Sequence, residues 1–194
     1  MFLNKKQLLD RGWSESLIKR FMPEPDKTKT NPAYRKAPPM KLYSTDRIAE
    51  IESTADFQQA QQKADARRLT GLLVAGRRRS VTLAKVEALP EPELPDWNRE
   101  KLIARAVRNY NAIWENRGRE DKFATVDADE CFLQRITVNY IRHMLTEYER
   151  RLDALFGQVG KQDACIIVKN KVLQAIGNKY HWLAEECNRQ MIQD

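Results

Sequence analysis

The chain has 194 residues, of which 42% are hydrophobic, and its formal net charge is +7 with a pI near 9.4. This length and hydrophobic content predict one medium-sized domain or two small ones with a buried core, and they exclude a chain too polar to fold. The positive charge favours polyanionic partners.

Cysteine usage and apolar runs exclude further classes. Cys131, Cys165 and Cys187 are odd in number and lack C-x-x-C spacing, so they indicate neither a disulfide framework nor a zinc site. No apolar run approaches the ~20 residues that a membrane-spanning helix needs, and the first ten residues lack a signal-peptide core. We therefore expect a soluble cytoplasmic protein with no membrane contact, metal or cofactor.

The charge is unevenly distributed along the chain. Met1 to Lys85 contains 18 Lys and Arg against 9 Asp and Glu, whereas Val86 to Asp194 contains 16 against 18. The sequence therefore predicts a positive field on the N-terminal part.

Two short helices joined by a glycine turn are predicted at the start of the chain. Asn4 can cap the first helix, which ends at Gly12. Ser14 can cap the second, and Pro23 ends it because proline cannot continue the hydrogen-bond ladder. The expected buried residues are Leu8 and Leu9 on the first helix, and Leu17, Ile18 and Phe21 on the second. Such a pair has the dimensions of a helix-turn-helix.

Two further helices are predicted after a proline-rich basic stretch. One begins near Ser44 or Thr45, and a capping box of Ser53 and Asp56 opens the other. This fourth helix runs from about Thr54 to Ala75 and ends at the sequence GRRRS. Its buried side is expected to contain Phe57, Ala60, Ala64, Leu69, Leu72 and Leu73.

The region after the fourth helix is predicted to connect two domains. A strand is one alternative for Ser80 to Val86, because Val81 and Leu83 alternate with Thr82 and Ala84. The following sequence EALPEPELPDW has three prolines and four acidic residues. This composition predicts an extended acidic linker that contains the domain boundary.

The C-terminal part is predicted to be helical. Apolar residues recur at helical spacing from Asn98 to Arg117, from Asp127 to Leu155 and from about Lys161 to Asn178, and a short final helix contains Trp182. Four helices with connections of this length indicate a small antiparallel bundle.

The second helix carries polar and basic residues on the side that its apolar stripe leaves exposed. In a helix-turn-helix protein this helix enters the major groove of DNA, where side chains reach phosphates and base edges. The candidate contacts on it are Ser14, Glu15, Ser16, Lys19 and Arg20.

A stiff basic hairpin is predicted behind this helix. Pro32, Pro38 and Pro39 lower the entropy that the hairpin loses on docking. Its position is that of a wing, which lies along the DNA backbone or the minor groove. The candidate contacts are Lys27, Lys29, Tyr34, Arg35, Lys36 and Lys41. A further candidate phosphate clamp, which would otherwise be a solvated helix end, is formed by Arg77, Arg78 and Arg79.

The order of these elements resembles a known DNA-binding domain. Residues 3–75 are similar to the winged-helix domain shared by MerR-type regulators and the C-terminal part of the xeroderma pigmentosum group A repair factor. The MerR-like features are Gly12-Trp13-Ser14, the helix closed by Pro23, and Lys-x-Tyr followed by Asp46-Arg47-Ile48. The features shared with the repair factor are Asn31-Pro32 and Met40-Lys41-Leu42-Tyr43.

The resemblance implies DNA binding through the helix Ser14 to Met22 and the hairpin Lys27 to Lys41. Two departures limit it. No cysteine precedes residue 131, so the repair factor's zinc module is missing from this region. The C-terminal half lacks both a long dimerisation coiled coil and the effector-binding cysteines of metal-sensing regulators. The biological role of neither family carries over.

The predicted architecture is mainly α, with a winged helix-turn-helix domain over residues 1–52, a charged helix and acidic proline-rich linker over 53–97, and a helical bundle domain over 98–194. The predicted function is non-enzymatic DNA binding, as a regulator or as a targeting subunit of a nucleic-acid-processing complex. The bundle would serve in dimerisation or in docking a protein partner.

Two alternatives to this function stay open. The first is a protein-interaction or inhibitor module that does not bind DNA. The second is a nuclease or other hydrolase that uses His143 and Glu147, which are four residues apart and therefore on one helical face. A zinc site at this place would need a third protein ligand.

Overall fold

The computed structural model describes residues 1–30 and 37–192. Within these ranges the chain forms nine α-helices and three short β-strands, so the prediction of a mainly α protein is confirmed. The chain divides into two compact units, residues 1–74 and 75–194.

The first unit combines a small sheet with short helices. Its elements are β1 (Phe2–Asn4), α1 (Lys5–Asp10), α2 (Glu15–Phe21), β2 (Lys27–Lys29), β3 (Met40–Ser44), α3 (Thr45–Ser53) and the first part of α4 (Ala55–Glu87). The sheet is antiparallel with the order β1-β3-β2. The core side chains are Leu8, Trp13, Leu17, Ile18, Met22, Tyr43, Ile48 and Phe57.

Local capping explains the first two helices. Asn4 and Gln7 form a reciprocal capping box at the start of α1. Gly12 lies in the turn with φ of +97°, a left-handed conformation that costs glycine little. The Ser14 hydroxyl accepts a hydrogen bond from the backbone N–H of Leu17 at the start of α2. Both helices were predicted, although Leu9 is 39% exposed rather than buried.

The start of α4 differs from the predicted capping box. The Thr54 hydroxyl, rather than that of Ser53, accepts a hydrogen bond from the backbone N–H of Phe57, at 3.3 Å. The Ser53 hydroxyl instead donates to the carbonyl of Glu50. Phe57 then packs against Trp13 with ring centroids 4.4 Å apart, which joins α4 to the core of the first unit.

The length of α4 contradicts two predictions. The helix does not end at Ala75, and Ser80 to Val86 is helical rather than extended. Gly76 costs a helix interior about 1 kcal/mol but keeps its backbone N–H, so it does not break the ladder. Val86 lies in the core of the second unit, and this burial favours the helix over a strand. Three residues of the predicted buried side are instead exposed by 58%, 64% and 75%: Leu69, Leu72 and Leu73.

Helices build the second unit. After α4 they are α5 (Arg99–Glu115), α6 (Glu130–Met144), α7 (Tyr148–Asp153), α8 (Lys161–Lys179) and α9 (Ala184–Ile192), with 3-10 turns at Glu120–Lys122 and His181–Leu183. The larger core cluster surrounds α8 and includes Val168, Val172, Leu173 and Ile176. A smaller cluster lies between α5 and α6.

The single long helix predicted from Asp127 to Leu155 is wrong. Asp129 rather than Asp127 caps α6, since it accepts a hydrogen bond from the backbone of Phe132. The helix ends at Met144, and α7 begins only at Tyr148. The Thr146 hydroxyl donates to the carbonyl of Arg142 and accepts from the N–H of Tyr148, so it replaces helical backbone bonds at the break.

The proline segment, residues 88–98, has no helix or strand and is anchored within the second unit. Leu89, Leu94 and Trp97 pack against its core clusters. The side chain of Lys179 donates to the carbonyl of Leu94 at 2.8 Å, and the hydroxyl of Tyr180 donates to that of Pro95. The residues between α4 and α5 therefore pack as part of the second unit. No helix in the described ranges has both the length and the apolar character needed to cross a membrane.

Candidate nucleic-acid interface

Helix α2 presents the polar residues that the sequence singled out. Glu15, Ser16, Lys19 and Arg20 are exposed, and Ser14 is half-buried. The hydroxyls of Ser14 and Ser16 are hydrogen-bonded at 2.9 Å. Because Ser14 also caps the helix, its hydroxyl is already hydrogen-bonded within the protein. The two cations lie in the last turn, where they also complement the helix dipole.

Glu15 is the negative member of the predicted set. It forms an ion pair with Lys5 of α1, with 2.8 Å between Nζ and Oε1. This hydrogen bond and the charge of Lys5 lower the pKa of Glu15. The carboxylate that would repel a phosphate near α2 is thereby offset by a neighbouring cation.

The hairpin formed by β2 and β3 separates its lysines by face. Lys27 pairs with Leu42 and Lys29 with Met40, whereas Lys41 pairs with Thr28. Cross-strand partners share a face and successive residues alternate, so Lys27 and Lys29 lie on one face and Lys41 on the other. The Lys27 ammonium lies 4.6 Å from the centroid of the Phe2 ring on β1. The structure therefore brings two of these three lysines together.

Part of the predicted wing falls outside the described residues. These positions are Tyr34, Arg35 and Lys36, together with Asn31 and Pro32 of the repair-factor resemblance.

A carboxylate that the sequence analysis missed fixes the turn between α1 and α2. Glu52, at the end of α3, accepts two hydrogen bonds from the Arg11 guanidinium, at 2.8 and 2.7 Å, and one from the indole of Trp13 at 2.8 Å. The bond from Arg11 is the main cause that lowers the pKa of Glu52. Trp13 is 2% exposed, so it acts as an anchor of the fold. Glu52 lies 41 positions from Arg11 and 39 from Trp13, so no local sequence pattern indicates this contact.

Asp26 holds the base of the hairpin. It accepts a hydrogen bond from the backbone N–H of Ser44 at 2.7 Å and pairs with the Arg47 guanidinium at 2.9 Å. The bond from Ser44 is the main cause that lowers the pKa of Asp26. The Asp-Arg dipeptide of the MerR-like pattern thus contributes Arg47 to positioning the hairpin.

The three arginines of the predicted phosphate clamp lie in the second unit, on α4. Arg77 and Arg78 are exposed. Arg79 forms an ion pair with Asp163 of α8, with 2.9 Å between Nε and Oδ2. Arg79 therefore has a structural partner, which reduces its value as a phosphate contact.

His143 and Glu147, the residues of the hydrolase alternative, have separate partners. The Nδ1 atom of His143 contacts Glu149, and its Nε2 atom accepts from the Arg142 guanidinium at 3.1 Å. Glu147 pairs with Arg150 and Arg151. Both ring nitrogens of His143 are thus engaged, and Glu147 is not among their partners.

Two further observations concern metal-ligating groups and the buried cysteine. Across residues 1–30 and 37–192, no group of three or more His, Cys, Asp or Glu side chains could hold a metal ion. Burial raises the pKa of the Cys187 thiol to about 12, so this cysteine stays protonated and packs in the core.

The chain was compared with known protein families, proteins and structures. No protein-family model, curated protein or solved structure matches the chain.

Proposed function

We propose that the first unit is a winged helix-turn-helix that binds duplex DNA. In this proposal α2 enters the major groove, and the hairpin of β2 and β3 lies along the backbone or the minor groove. The protein acts as a regulator or as a targeting subunit of a nucleic-acid-processing complex. The second unit serves in dimerisation or in docking a protein partner.

The observation that carries the proposal is a set of exposed cations without carboxylate partners. In the described ranges no ion pair involves the basic side chains of α2 and the hairpin, which are Lys19, Arg20, Lys27, Lys29 and Lys41. Three carboxylates of the unit pair with other cations: Glu15 with Lys5, Asp26 with Arg47, and Glu52 with Arg11. Unpaired cations on one small unit are what a phosphate backbone neutralises.

The element order supports the same proposal. Two short helices with a glycine turn are followed by an antiparallel hairpin and a third helix. In winged helix-turn-helix domains this order presents the second helix and the hairpin to one duplex. The contacts of Glu52 and Asp26 supply the rigidity that such presentation requires.

Two double variants test the proposal: Lys19→Ala with Arg20→Ala on α2, and Lys27→Ala with Lys29→Ala on β2. Fluorescence anisotropy of a labelled random duplex, measured over a series of salt concentrations, gives the slope of log affinity against log salt. Each lost phosphate contact should reduce the magnitude of this slope by about 0.9, so each pair should reduce it by up to about 1.8.

The matched control is Arg108→Ala with Lys122→Ala, which removes two exposed cations of the second unit. It should leave the salt slope unchanged. A wild-type protein that fails to bind duplex at about 50 mM salt, where phosphate contacts are strong, would instead favour the interaction module that never meets DNA. Equal slopes for all variants would also overturn the proposal.

A further inference from the structure

An apolar groove lies between α5 and α6 in the second unit. Its volume is about 490 Å³. Its apolar walls are formed by Tyr110, Ile113 and Trp114 of α5, and by Tyr140 and Met144 of α6. Ile113 is 44% exposed and Met144 is 58% exposed. Two large apolar side chains at the mouth of one groove mark a surface that gains free energy when it is covered.

A cationic cleft lies on the other flank of α6. Its volume is about 360 Å³, and its lining contains three arginines, Arg135, Arg142 and Arg189, against one carboxylate, Glu186. Glu186 is 4% exposed and accepts hydrogen bonds from Arg189 and Gln190. The cleft therefore carries an excess of positive charge. Arg135 and Asn139 line both the cleft and the apolar groove, so the two depressions adjoin along α6.

Arg142 contributes a positive charge to the cleft, and its hydrogen-bond partners there include no carboxylate. Its guanidinium donates to the side-chain oxygens of Asn139 and Gln190, each at 3.2 Å, and to Nε2 of His143. It also lies 5.3 Å from the centroid of the Tyr148 ring. These groups hold the half-buried guanidinium in place without a carboxylate. Such an arrangement favours an incoming anion, because the side chain is ordered beforehand.

We propose that this face of α6 binds an acidic amphipathic helix of a partner protein. The apolar side of the helix lies in the groove against Ile113 and Met144, and its carboxylates pair with Arg135 and Arg142. The groove follows α5 from Ala106 to Trp114, which corresponds to roughly 12 Å. This length accommodates the i, i+4 and i+7 anchors of a partner helix.

The aromatic groups of the groove disfavour nucleic acid as its occupant. Tyr110 packs edge-on against Trp114 and Phe132, with centroids 6.1 and 5.3 Å apart. The Arg117 guanidinium lies over the Trp114 ring at 5.2 Å. Base stacking needs open ring faces, and these contacts occupy part of the aromatic surface.

Charge also disfavours a second copy of the chain. A symmetric dimer through this face would place the arginines of both copies within one interface. Like charges at an interface oppose association, whereas carboxylates on a partner would complement them. An acidic amphipathic partner would therefore both cover the apolar groove and pair with the arginines of the cleft.

This inference rests on the docking role proposed for the second unit and is tested without DNA. A phage-displayed library of random 16-residue peptides is selected on the full-length protein, and the enriched peptides are synthesised for anisotropy titrations. The expected peptides are acidic and carry apolar residues at helical spacing. Ile113→Asp and Arg135→Glu should each weaken their binding at least about tenfold, as expected for central interface residues.

Matched controls carry the same chemical change at other exposed sites. Ile166→Asp on α8 and Arg108→Glu on α5 should change peptide affinity less than about twofold, since neither residue lines the groove or the cleft. Replacing the acidic residues of a selected peptide by lysine should abolish binding to wild type and restore part of it to Arg135→Glu.

Three results would overturn the inference: no enriched peptide, enriched peptides without acidic residues, or affinities that the groove variants leave unchanged. A dimer in sedimentation experiments that Ile113→Asp dissociates would assign the face to a second copy instead. Duplex binding by Ile113→Asp should match wild type. Loss of peptide binding and loss of DNA binding therefore report on separate proposals.

Discussion

The middle of α4 and the whole of α8 both contain many aliphatic residues. The structure buries most of the aliphatic residues of α8 but leaves those of the middle of α4 exposed. Residues 66–81 of α4 are exposed without interruption. In contrast, α8 buries Ala164, Val168, Val172, Leu173, Ala175 and Ile176. Aliphatic content is therefore a poor guide to burial in this protein.

The placement of charges explains the difference between these two helices. On α4 the leucines are bracketed by Arg67 and Arg68 on one side and by three arginines from Arg77 on the other. The apolar stretch therefore covers only about two turns. On α8 the buried residues recur every three or four positions along the helix, so one continuous face can pack. Continuity of the apolar face, rather than its local density, decides which helix enters a core.

The largest expected effect is the loss of a leucine from the packed helix. Leu173 is fully buried in the core around α8. Leu173→Ala should lower the free energy of unfolding of the second unit by about 2–5 kcal/mol, because the removed atoms leave a cavity. Urea unfolding followed by tryptophan fluorescence measures this change.

The matched control is Leu72→Ala on α4, where the side chain is 64% exposed. The same substitution should change the free energy of unfolding of either unit by no more than about 0.5 kcal/mol. Equal losses for the two variants would show that Leu72 is covered in solution, and the contrast between the helices would fail.

A second prediction concerns the point where α4 meets α8. Gly160 precedes α8 with φ of +83°, and a Cβ there would lie 2.6 Å from Cγ of Arg79. Gly160→Ala should cost about 1–2 kcal/mol for the left-handed backbone alone, plus the displacement of Arg79 from its ion pair with Asp163.

Gly157→Ala separates these two costs. Gly157 has φ of +73°, but a Cβ there would meet no atom within 4 Å. Chemical denaturation of both variants should therefore show the larger loss for Gly160→Ala. Adding Arg79→Ala to each should bring the two losses closer together, since it removes the clash and leaves the backbone cost. If Gly157→Ala costs as much as Gly160→Ala in the native background, Arg79 does not pack against this turn.

Local signals in the sequence predicted the caps of α1 and α2 and the glycine turn between them. Asn4, Gly12 and Ser14 act within four residues of themselves, so their roles could be read without a structure. The contacts of Glu52 with Arg11 and Trp13 span 41 and 39 positions, and no local pattern indicates them. The sequence predicted that the candidate cations of α2 are exposed, because the apolar residues of that helix lie on one side.

The errors in the second unit also have a physical cause. The sequence of residues 88–98 looks like a linker because proline and acidic residues favour extended solvated chain. Its anchors are Lys179 and Tyr180, more than 80 positions away. The break between α6 and α7 depends on two hydrogen bonds of the Thr146 hydroxyl to backbone groups. A threonine does not by itself predict the end of a helix. Distant partners and side-chain competition for backbone groups override composition at both places.

The smallest expected effect tests the exposed stretch of α4 directly. Gly71 and Gly76 lie within the helix, and a Cβ at either position would meet no atom within 4 Å. Gly71→Ala and Gly76→Ala should therefore each stabilise this stretch by about 0.5–1 kcal/mol through helix propensity alone. Amide hydrogen exchange of residues 66–81 should slow about two- to fivefold. Ala75→Gly is the reverse change and should speed exchange by a similar factor. If Gly71→Ala or Gly76→Ala instead destabilises the protein, another surface packs against that side of α4 in solution, and the exposed leucines beside it would then belong to an interface.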